Sequence, residues 1–367
     1  MSTTTLATAT TDLTPRDRDR DPLVDIVRAG ALGVVVVYHW CFTVVRWQSD
    51  GPHASNPIGS TRGLWLLTWV LQVMPLFFVV GGAVHARSTD RGFDFVKRRL
   101  RRLMPPALGL VVAVVTAAEI ARAAGAGWSR QAALLILSPL WFLIVYSLLV
   151  LLTPLARLAH ARWGELVPVG LLVAAAGIDV LRFTFESTAA SWLAWIVVFG
   201  FCHQLGFFWE RLRAAPARFG ECMALGGLGA LIVLTNMGTY PRSVVGVPGE
   251  SISNMGPPTV VITALCCLQL GLLIRFAPVV LGWTDRTRHP QAARAIGFLQ
   301  AESMRLYLLH GVVMGVVYAA AVLTVGHPPQ SPTATWWLTR PLWLMVPGAI
   351  YLRVCSSGRT VRTDQVS

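Results

Sequence analysis

The chain has 367 residues, of which 54% are apolar and 13% are charged, and its mean hydropathy is +0.58. Soluble domains carry about 25% charged residues, so a soluble fold of this composition would expose apolar patches larger than a monomer tolerates. Composition therefore excludes a soluble enzyme, a disordered chain and a secreted disulfide scaffold, and it predicts a protein that crosses a membrane several times.

The apolar runs predict an all-α fold, a polytopic membrane helix bundle, because a spanning helix needs about 20 mostly apolar residues. The ten predicted spans are 23–45, 64–86, 104–122, 132–156, 166–182, 189–209, 221–240, 259–281, 296–325 and 336–354. The first run is too long for the core of a signal peptide, so it is predicted to stay as the first helix. Residues 1–20 are predicted to be a disordered cytoplasmic tail, 21–355 the transmembrane domain and 356–367 a second cytoplasmic tail.

Basic side chains indicate the orientation of these helices. With the N-terminus inside, 22 Lys and Arg residues fall in cytoplasmic segments, six in outer segments and three within spans. Cytoplasmic loops are enriched in basic residues, so both termini are predicted to be cytoplasmic. The charge is thereby explained without a nucleic-acid partner. The six cysteines lack metal-ligand spacing, so no metal site is predicted.

The first predicted helix carries ionisable side chains that are costly in lipid. Arg28 and His39 are 11 residues apart, which places them on one helix face to within about 20° and about 16 Å apart along the axis. Asp25, one turn before Arg28, is placed to orient it.

These residue types suggest a chemistry. A guanidinium near the cytoplasmic end suits a phosphorylated donor because it binds phosphate in a fork and keeps its charge. An imidazole inside the bilayer favours its neutral form, which can take a proton from an attacking hydroxyl. The alternative for His39 is a hydrogen bond that only holds two helices together.

A dense basic segment, Lys97–Arg102, precedes Pro105 and Pro106. It is either a positive-inside anchor or a site for the phosphates of a cytosolic donor, and its position against the predicted Pro-Pro start of a helix leaves both open.

Other polar residues at membrane depth are candidates for the lining of a substrate channel, although each lone His is by itself more typical of packing. The candidates are Asp25, Trp141, His203, Asn254, Tyr307 and His310. His85, His160 and His289 fall near cytoplasmic helix ends, where no role is needed.

In their order along the chain, these segments resemble the acyltransferase-3 family of integral-membrane acyltransferases. Arg28 and His39 match its R-x10-H signature, and the segments 74–82, 99–105, 140–143 and 306–310 are similar to its P-L-F-F-x-x-S-G, R-x-x-R-x-x-P, W-F-L and Y-L-L-H patterns. Two positions depart from the family: Gly81 stands where a Ser is usual, and Tyr146 stands near the position of an acid.

The resemblance implies transfer of an acyl group from cytosolic acyl-CoA, with acetyl-CoA the expected co-substrate, to a hydroxyl or amine. It implies His39 as the catalytic residue and Arg28, Arg99 and Arg102 as donor-binding residues. The implied partners are membrane lipid, acyl-CoA and a glycan, lipid-linked sugar or secondary-metabolite acceptor, and the implied location is a bacterial plasma membrane.

Two other interpretations of the sequence remain. A transporter or flippase would use buried His and Arg along a substrate or proton path, but it would be expected to show internal repeats, which the sequence lacks. The other is a scaffold protein that has lost catalytic activity. Such a protein would not need to keep the Arg28–His39 spacing, so the intact spacing argues against it.

Overall fold

The computed structural model describes residues 21–363 except 91 and 286, with side chains up to residue 355. The predicted tail 1–20 and residues 364–367 lie outside the described part of the chain. The fold is a helical bundle, which confirms the all-α prediction, and the described residues also form one small β-hairpin. Its helices are α1 (Pro22–Phe42), α2 (Trp65–Leu71), α3 (Met74–Arg87), α4 (Gly92–Ala123), α5 (Ser129–Leu137), α6 (Trp141–Trp163), α7 (Leu166–Phe185), α8 (Thr188–Gly206), α9 (Trp209–Ala214), α10 (Ala217–Met237), α11 (Val260–Trp283), α12 (Pro290–Ala301), α13 (Ser303–Val325), α14 (Ala334–Leu338) and α15 (Arg340–Thr363).

Nine spans within the described residues are long and apolar enough to cross a membrane. They correspond in order to the first nine predicted spans. The tenth predicted span, 336–354, falls on α14 and α15, which are not among the nine. One face of α15 packs against α1, where Tyr351 and Cys355 are buried with Val36 and Trp40, and its other face, with Leu342 and Leu352, is exposed and apolar.

Two predicted spans are interrupted. The second is divided between α2 and α3 at Gln72 and Val73, and α3 begins with Pro75 in its first turn. The fourth is divided by a 3₁₀ turn, Ser138–Leu140, between α5 and α6. Pro139 lies in that turn and has no N–H to continue the helix. Ser138 and Pro139 of this break line the candidate site described below.

The predicted start of the third span is wrong. Helix α4 begins at Gly92 instead of about residue 104, so the basic segment is helical, and Pro105 and Pro106 lie inside the helix. Proline has no N–H, so Pro105 and Pro106 cannot donate to the carbonyls of Arg101 and Arg102, one turn earlier in the helix. All four residues are exposed. Exposure of both ends of the lost bonds makes this position tolerable.

The first span also ends earlier than predicted, because residues 44–55 form an antiparallel hairpin. Strand β1 (Val44–Gln48) pairs with β2 (Gly51–Ser55), Val44 opposite Ser55 and Gln48 opposite Gly51. β-branched Val44 and Val45 favour a strand, and Gly51 takes a positive φ of 130° that suits glycine at the turn. His39 therefore lies in the last turn of α1.

Helix α1 lies at the centre of the described bundle, packed by α2, α3, α11, α12, α13 and α15. Behind it, α3 and α8 approach closely: a side chain at Gly82 or Gly206 would collide with the backbone of the opposite helix. Small residues permit such approach between membrane helices, and here they bring His85 of α3 beside His203 of α8.

Asp21 fixes the start of α1 to two other helices. The buried carboxylate, 8% exposed, accepts hydrogen bonds from Leu23 N (2.9 Å) and Trp209 Nε1 (2.6 Å). It also pairs with Arg87 (3.2 Å) and Arg213 (2.8 Å). Burial raises the pKa of Asp21, but the bonds from Trp209 and Arg87 and the charge of Arg213 outweigh it and hold the pKa below its usual value.

We predict that Asp21→Ala lowers the free energy of unfolding by about 2 kcal/mol, since it removes a helix cap and leaves buried donors unpaired. The lowered pKa means that this stabilisation is present above about pH 4 and is lost as the pH falls through the folded-state pKa. Thermal unfolding in detergent between pH 3 and 7 measures both effects. Asp50→Ala is the control, because Asp50 is exposed and pairs with His53 at the surface; equal destabilisation by both variants would contradict the prediction.

Candidate active site

Two imidazoles are held in the same way at one end of the bundle. His39 Nδ1 lies 2.8 Å from the carbonyl oxygen of Val35, and His310 Nδ1 on α13 lies 2.6 Å from that of Tyr307. A carbonyl oxygen only accepts, so each Nδ1 carries the hydrogen and, in the neutral ring, each Nε2 is bare. The ring centroids are 5.1 Å apart.

Both rings line a small cavity of about 30 Å³, large enough for one or two water molecules or for the reacting atoms of a substrate. Its lining residues are His39, Thr43, Ala54, Leu135, Ser138, Pro139, His310, Gly311 and Met314. The end of α1, strand β2, the 3₁₀ turn and α13 thus converge here. Gly311 is needed for this convergence, because a Cβ there would lie 2.7 Å from the Ile136 carbonyl oxygen.

A row of aromatic rings leads from this cavity to the opposite half of the bundle. The centroid separations are 6.2 Å from His310 to Tyr307, 5.7 Å from Tyr307 to Phe142 and 5.8 Å from Phe142 to Tyr146. The Tyr307 hydroxyl donates to the Pro139 carbonyl at 2.8 Å, which fixes that ring against the 3₁₀ turn. These rings form a continuous aromatic wall that runs along the site from one end to the other.

Tyr146 ends the row in a buried hydrogen-bond network. His85 Nε2 lies 3.0 Å from the Tyr146 hydroxyl, and His85 Nδ1 lies 2.9 Å from His203 Nε2. The two imidazoles are 0% and 2% exposed. Two buried rings in direct contact form a single polar unit that joins α3, α6 and α8.

Thr153 sets the direction of the hydrogen bonds in this network. Its hydroxyl donates to the Leu149 carbonyl at 2.7 Å, so its oxygen can only accept from His85 Nδ1, 3.3 Å away. The His85 Nδ1 hydrogen therefore points towards Thr153 and His203, and the bare Nε2 accepts from Tyr146. The lone pairs of the Tyr146 oxygen are left for another group.

Two of the three predicted donor-binding arginines, Arg28 and Arg99, lie at the Tyr146 end, and no described contact places Arg102 there. Arg28 and Arg99 are both close enough to Tyr146 and His85 to interact with them electrostatically. The Arg99 guanidinium lies 5.6 Å from the centroid of the Phe95 ring. Arg28 and Arg102 are exposed. Arg28 and His39, on one face of α1, therefore mark opposite ends of a site about 16 Å long.

The remaining predicted site residues fall into different places. Trp141 lies beside Phe142 and packs against Trp195 with ring centroids 5.2 Å apart, so it belongs to the wall. Asp25 is half-buried on α1. His203 joins the Tyr146 network.

Asn254 is not brought to the site. It is fully buried in the 238–259 loop, where Nδ2 donates to the carbonyls of Pro241 and Ser243 (2.7 and 2.9 Å) and Oδ1 accepts from Thr259 Oγ1 (2.8 Å). Both the oxygen and the nitrogen of its amide are therefore hydrogen-bonded within the loop.

His85 is the residue that sequence reasoning misses, since a His near a helix end needs no functional role to explain it. The signal was present at Gly82, one turn earlier on α3, where close packing of a second helix was foreseeable. Nothing in the sequence shows that the second helix brings a His to the same place.

The two departures from the acyltransferase-3 pattern prove to be neighbours. A Cβ on Gly81 would lie 3.1 Å from Cε2 of Tyr146, which is closer than ordinary van der Waals contact. The missing side chain at 81 therefore leaves the space that the larger ring at 146 occupies.

Comparison with known proteins gives one match. The family model Acyl_transf_3, an acyltransferase domain, matches residues 22–353. No curated protein and no solved structure matches the chain.

We predict that Gly81→Ala lowers the free energy of unfolding by about 1 kcal/mol, because the Tyr146 ring is held by His85 and Phe142 and cannot easily move away. Gly109→Ala on α4 is the matched control. A Cβ there meets nothing within 4 Å, so the better helix propensity of Ala stabilises by about 0.5–1 kcal/mol. Thermal unfolding compares the two, and equal stabilisation at both positions would show that the Tyr146 contact does not constrain residue 81.

Proposed function

The chain belongs to the Acyl_transf_3 family of acyltransferases, and on that premise we propose that it transfers an acyl group from cytosolic acyl-CoA, with acetyl-CoA as the expected donor, to an acceptor at His39. The acceptor is a hydroxyl or amine of a glycan, a lipid-linked sugar or a secondary metabolite. As a multi-pass membrane protein it would act in the bacterial plasma membrane, with both termini in the cytosol.

The observation that carries the proposal is the contact of His39 Nδ1 with a backbone carbonyl, because it assigns the tautomer of the ring. Its Nδ1 hydrogen is committed to the Val35 carbonyl at 2.8 Å, and no hydrogen bond from the described residues reaches Nε2. A bare imidazole nitrogen facing a small cavity is what a general base requires.

The donor end supports the same reaction. Arg28, Arg99 and Arg102 would bind the phosphates of CoA, because guanidinium groups form paired, charge-assisted hydrogen bonds with phosphate. The arm of the donor would then run along the aromatic wall from Tyr146 to Tyr307 and place the thioester beside His39. The separation of about 16 Å between Arg28 and His39 is the distance that the arm has to cover.

The chemical step follows from this placement. His39 Nε2 takes the proton of the acceptor hydroxyl or amine as its oxygen or nitrogen bonds to the thioester carbonyl carbon. The carbon–sulfur bond breaks, and the CoA thiolate takes the proton from His39, which restores the bare Nε2. The residues are equally compatible with a transient acyl-imidazole before the acceptor attacks.

We predict that His39→Ala lowers kcat for acyl transfer at least 100-fold, the usual size of a general-base effect, while acyl-CoA still binds. Release of CoA thiol from acetyl-CoA measures the first quantity and equilibrium binding of labelled acetyl-CoA the second. His160→Ala is the control, since His160 pairs with Gln204 outside the cavity. A folded His39→Ala protein with full activity would remove the mechanism.

We also predict that Arg28→Ala and Arg99→Ala each raise the KM for acetyl-CoA about tenfold or more with little change in kcat, because each removes a charged hydrogen bond worth about 1.5–3 kcal/mol. Arg275→Ala is the matched control, because Arg275 is exposed and pairs with Glu221. The same KM for all three variants would place the donor elsewhere.

A further inference from the structure

His310 has a property that the proposed reaction does not use. It is 1% exposed, and its Nε2 is buried without a hydrogen-bond partner among the described residues. The same ring lines the cavity with His39. A buried acceptor left unpaired costs about 1–3 kcal/mol, so the position beside Nε2 favours a ligand that brings a donor hydrogen.

Neither hydroxyl side chain of the cavity supplies that hydrogen. Ser138 Oγ donates to the Leu135 carbonyl at 2.8 Å, and Thr43 makes no hydrogen bond to His310. Tyr318, on the same helix, also has a buried hydroxyl without a partner among the described residues, but it does not line the cavity. His310 is thus distinguished by lining the cavity that it shares with His39.

Two rings that each have a bare Nε2 line one small cavity, so an acceptor that satisfies both rings needs two donor hydrogens. A simple alcohol has one, and His39 must receive it for the reaction to proceed. Binding such an alcohol would leave His310 unpaired. A primary amine, or a hydroxyl with a second hydroxyl on the adjacent carbon, has one hydrogen for each ring.

Resting on the proposed function, we propose that His310 Nε2 accepts the second donor hydrogen of the acceptor, so that the site selects a primary amine or a vicinal diol over a lone hydroxyl. In the step itself His39 takes the proton of the attacking atom and later returns it to the CoA thiolate. The hydrogen bound to His310 stays on the acceptor throughout. His310 therefore orients the acceptor and gains no proton.

Four probes with the same eight-carbon chain separate the cases: 1-octanol, 1,8-octanediol, 1,2-octanediol and octylamine. The full-length protein in detergent is given acetyl-CoA and each probe, and CoA thiol and acetylated product are measured after subtraction of the reaction with water and of the protein-free reaction. For the wild-type protein, kcat/KM is expected to be at least about tenfold higher for 1,2-octanediol or octylamine than for 1-octanol and 1,8-octanediol, the worth of one added hydrogen bond. The diol and amine arms show which acceptor supplies the second hydrogen.

The variants test His310 directly. His310→Phe is expected to lower kcat/KM for the favoured probe at least about tenfold more than for 1-octanol, so that the preference between them is lost. His310→Gln is expected to restore most of the preference, because its amide oxygen can accept at the position of Nε2. Tyr318→Phe, the matched control on α13, is expected to leave the reactivity of all four probes unchanged.

The outcomes separate the two claims. Equal wild-type rates for all four probes, or an equal loss on all four in both His310 variants, would overturn the role of His310 and leave the acyl transfer standing. Transfer to none of the probes by the wild-type protein would contradict the proposed function, and the role of His310 with it.

Discussion

One hydrogen bond, from His39 Nδ1 to the Val35 carbonyl, determines what the rest of the site can do. It is made within α1, one turn back along the same helix, so it forms with the helix and needs no partner from elsewhere. It leaves Nε2 bare and aimed away from the α1 backbone. The hairpin that starts at Val44 ends α1 one turn later and closes the cavity with Ala54. A local bond thus sets the chemistry, and the surrounding elements only enclose it.

The two ends of the site are built on different physics. At the His39 end, both imidazoles are bound to backbone carbonyls and share one cavity. At the Arg28 end, His85 and His203 satisfy one another and present Tyr146 to a region under two positive charges. The row of aromatic rings from Tyr307 through Phe142 to Tyr146 connects them. This division suits the proposed donor, whose charged head would bind at one end while its acyl group is delivered, protected from bulk water, to the proposed base about 16 Å away.

The sequence predicts most of this architecture where the evidence is local. Apolar length identified the nine spans that the structure describes as long and apolar enough to cross a membrane, and helical periodicity placed Arg28 and His39 on one face of α1. What it could not predict depends on contacts between distant segments. The pairing of His39 with His310 and of His85 with His203 requires knowing which helices touch. The hydrogen bonds of Asn254 cannot be predicted for the same reason, because its partners Pro241 and Thr259 become visible only when the loop is folded. The helix break at Pro139 and its absence at Pro105 show that proline interrupts a span only where the surroundings do not compensate.

The most direct measurement is a structure of the protein with an acyl-CoA analogue whose sulfur is replaced by CH₂, so that the acyl group cannot leave. The account predicts the phosphates beside Arg28 and Arg99, the arm along Phe142 and Tyr307, and the acyl carbonyl carbon in the cavity, about 3–4 Å from the place of an acceptor atom bound to His39 Nε2. The proposal would be contradicted by an analogue bound with its acyl carbonyl outside that cavity. It would also be contradicted if Arg28 and His39 faced lipid on opposite sides of the bound analogue.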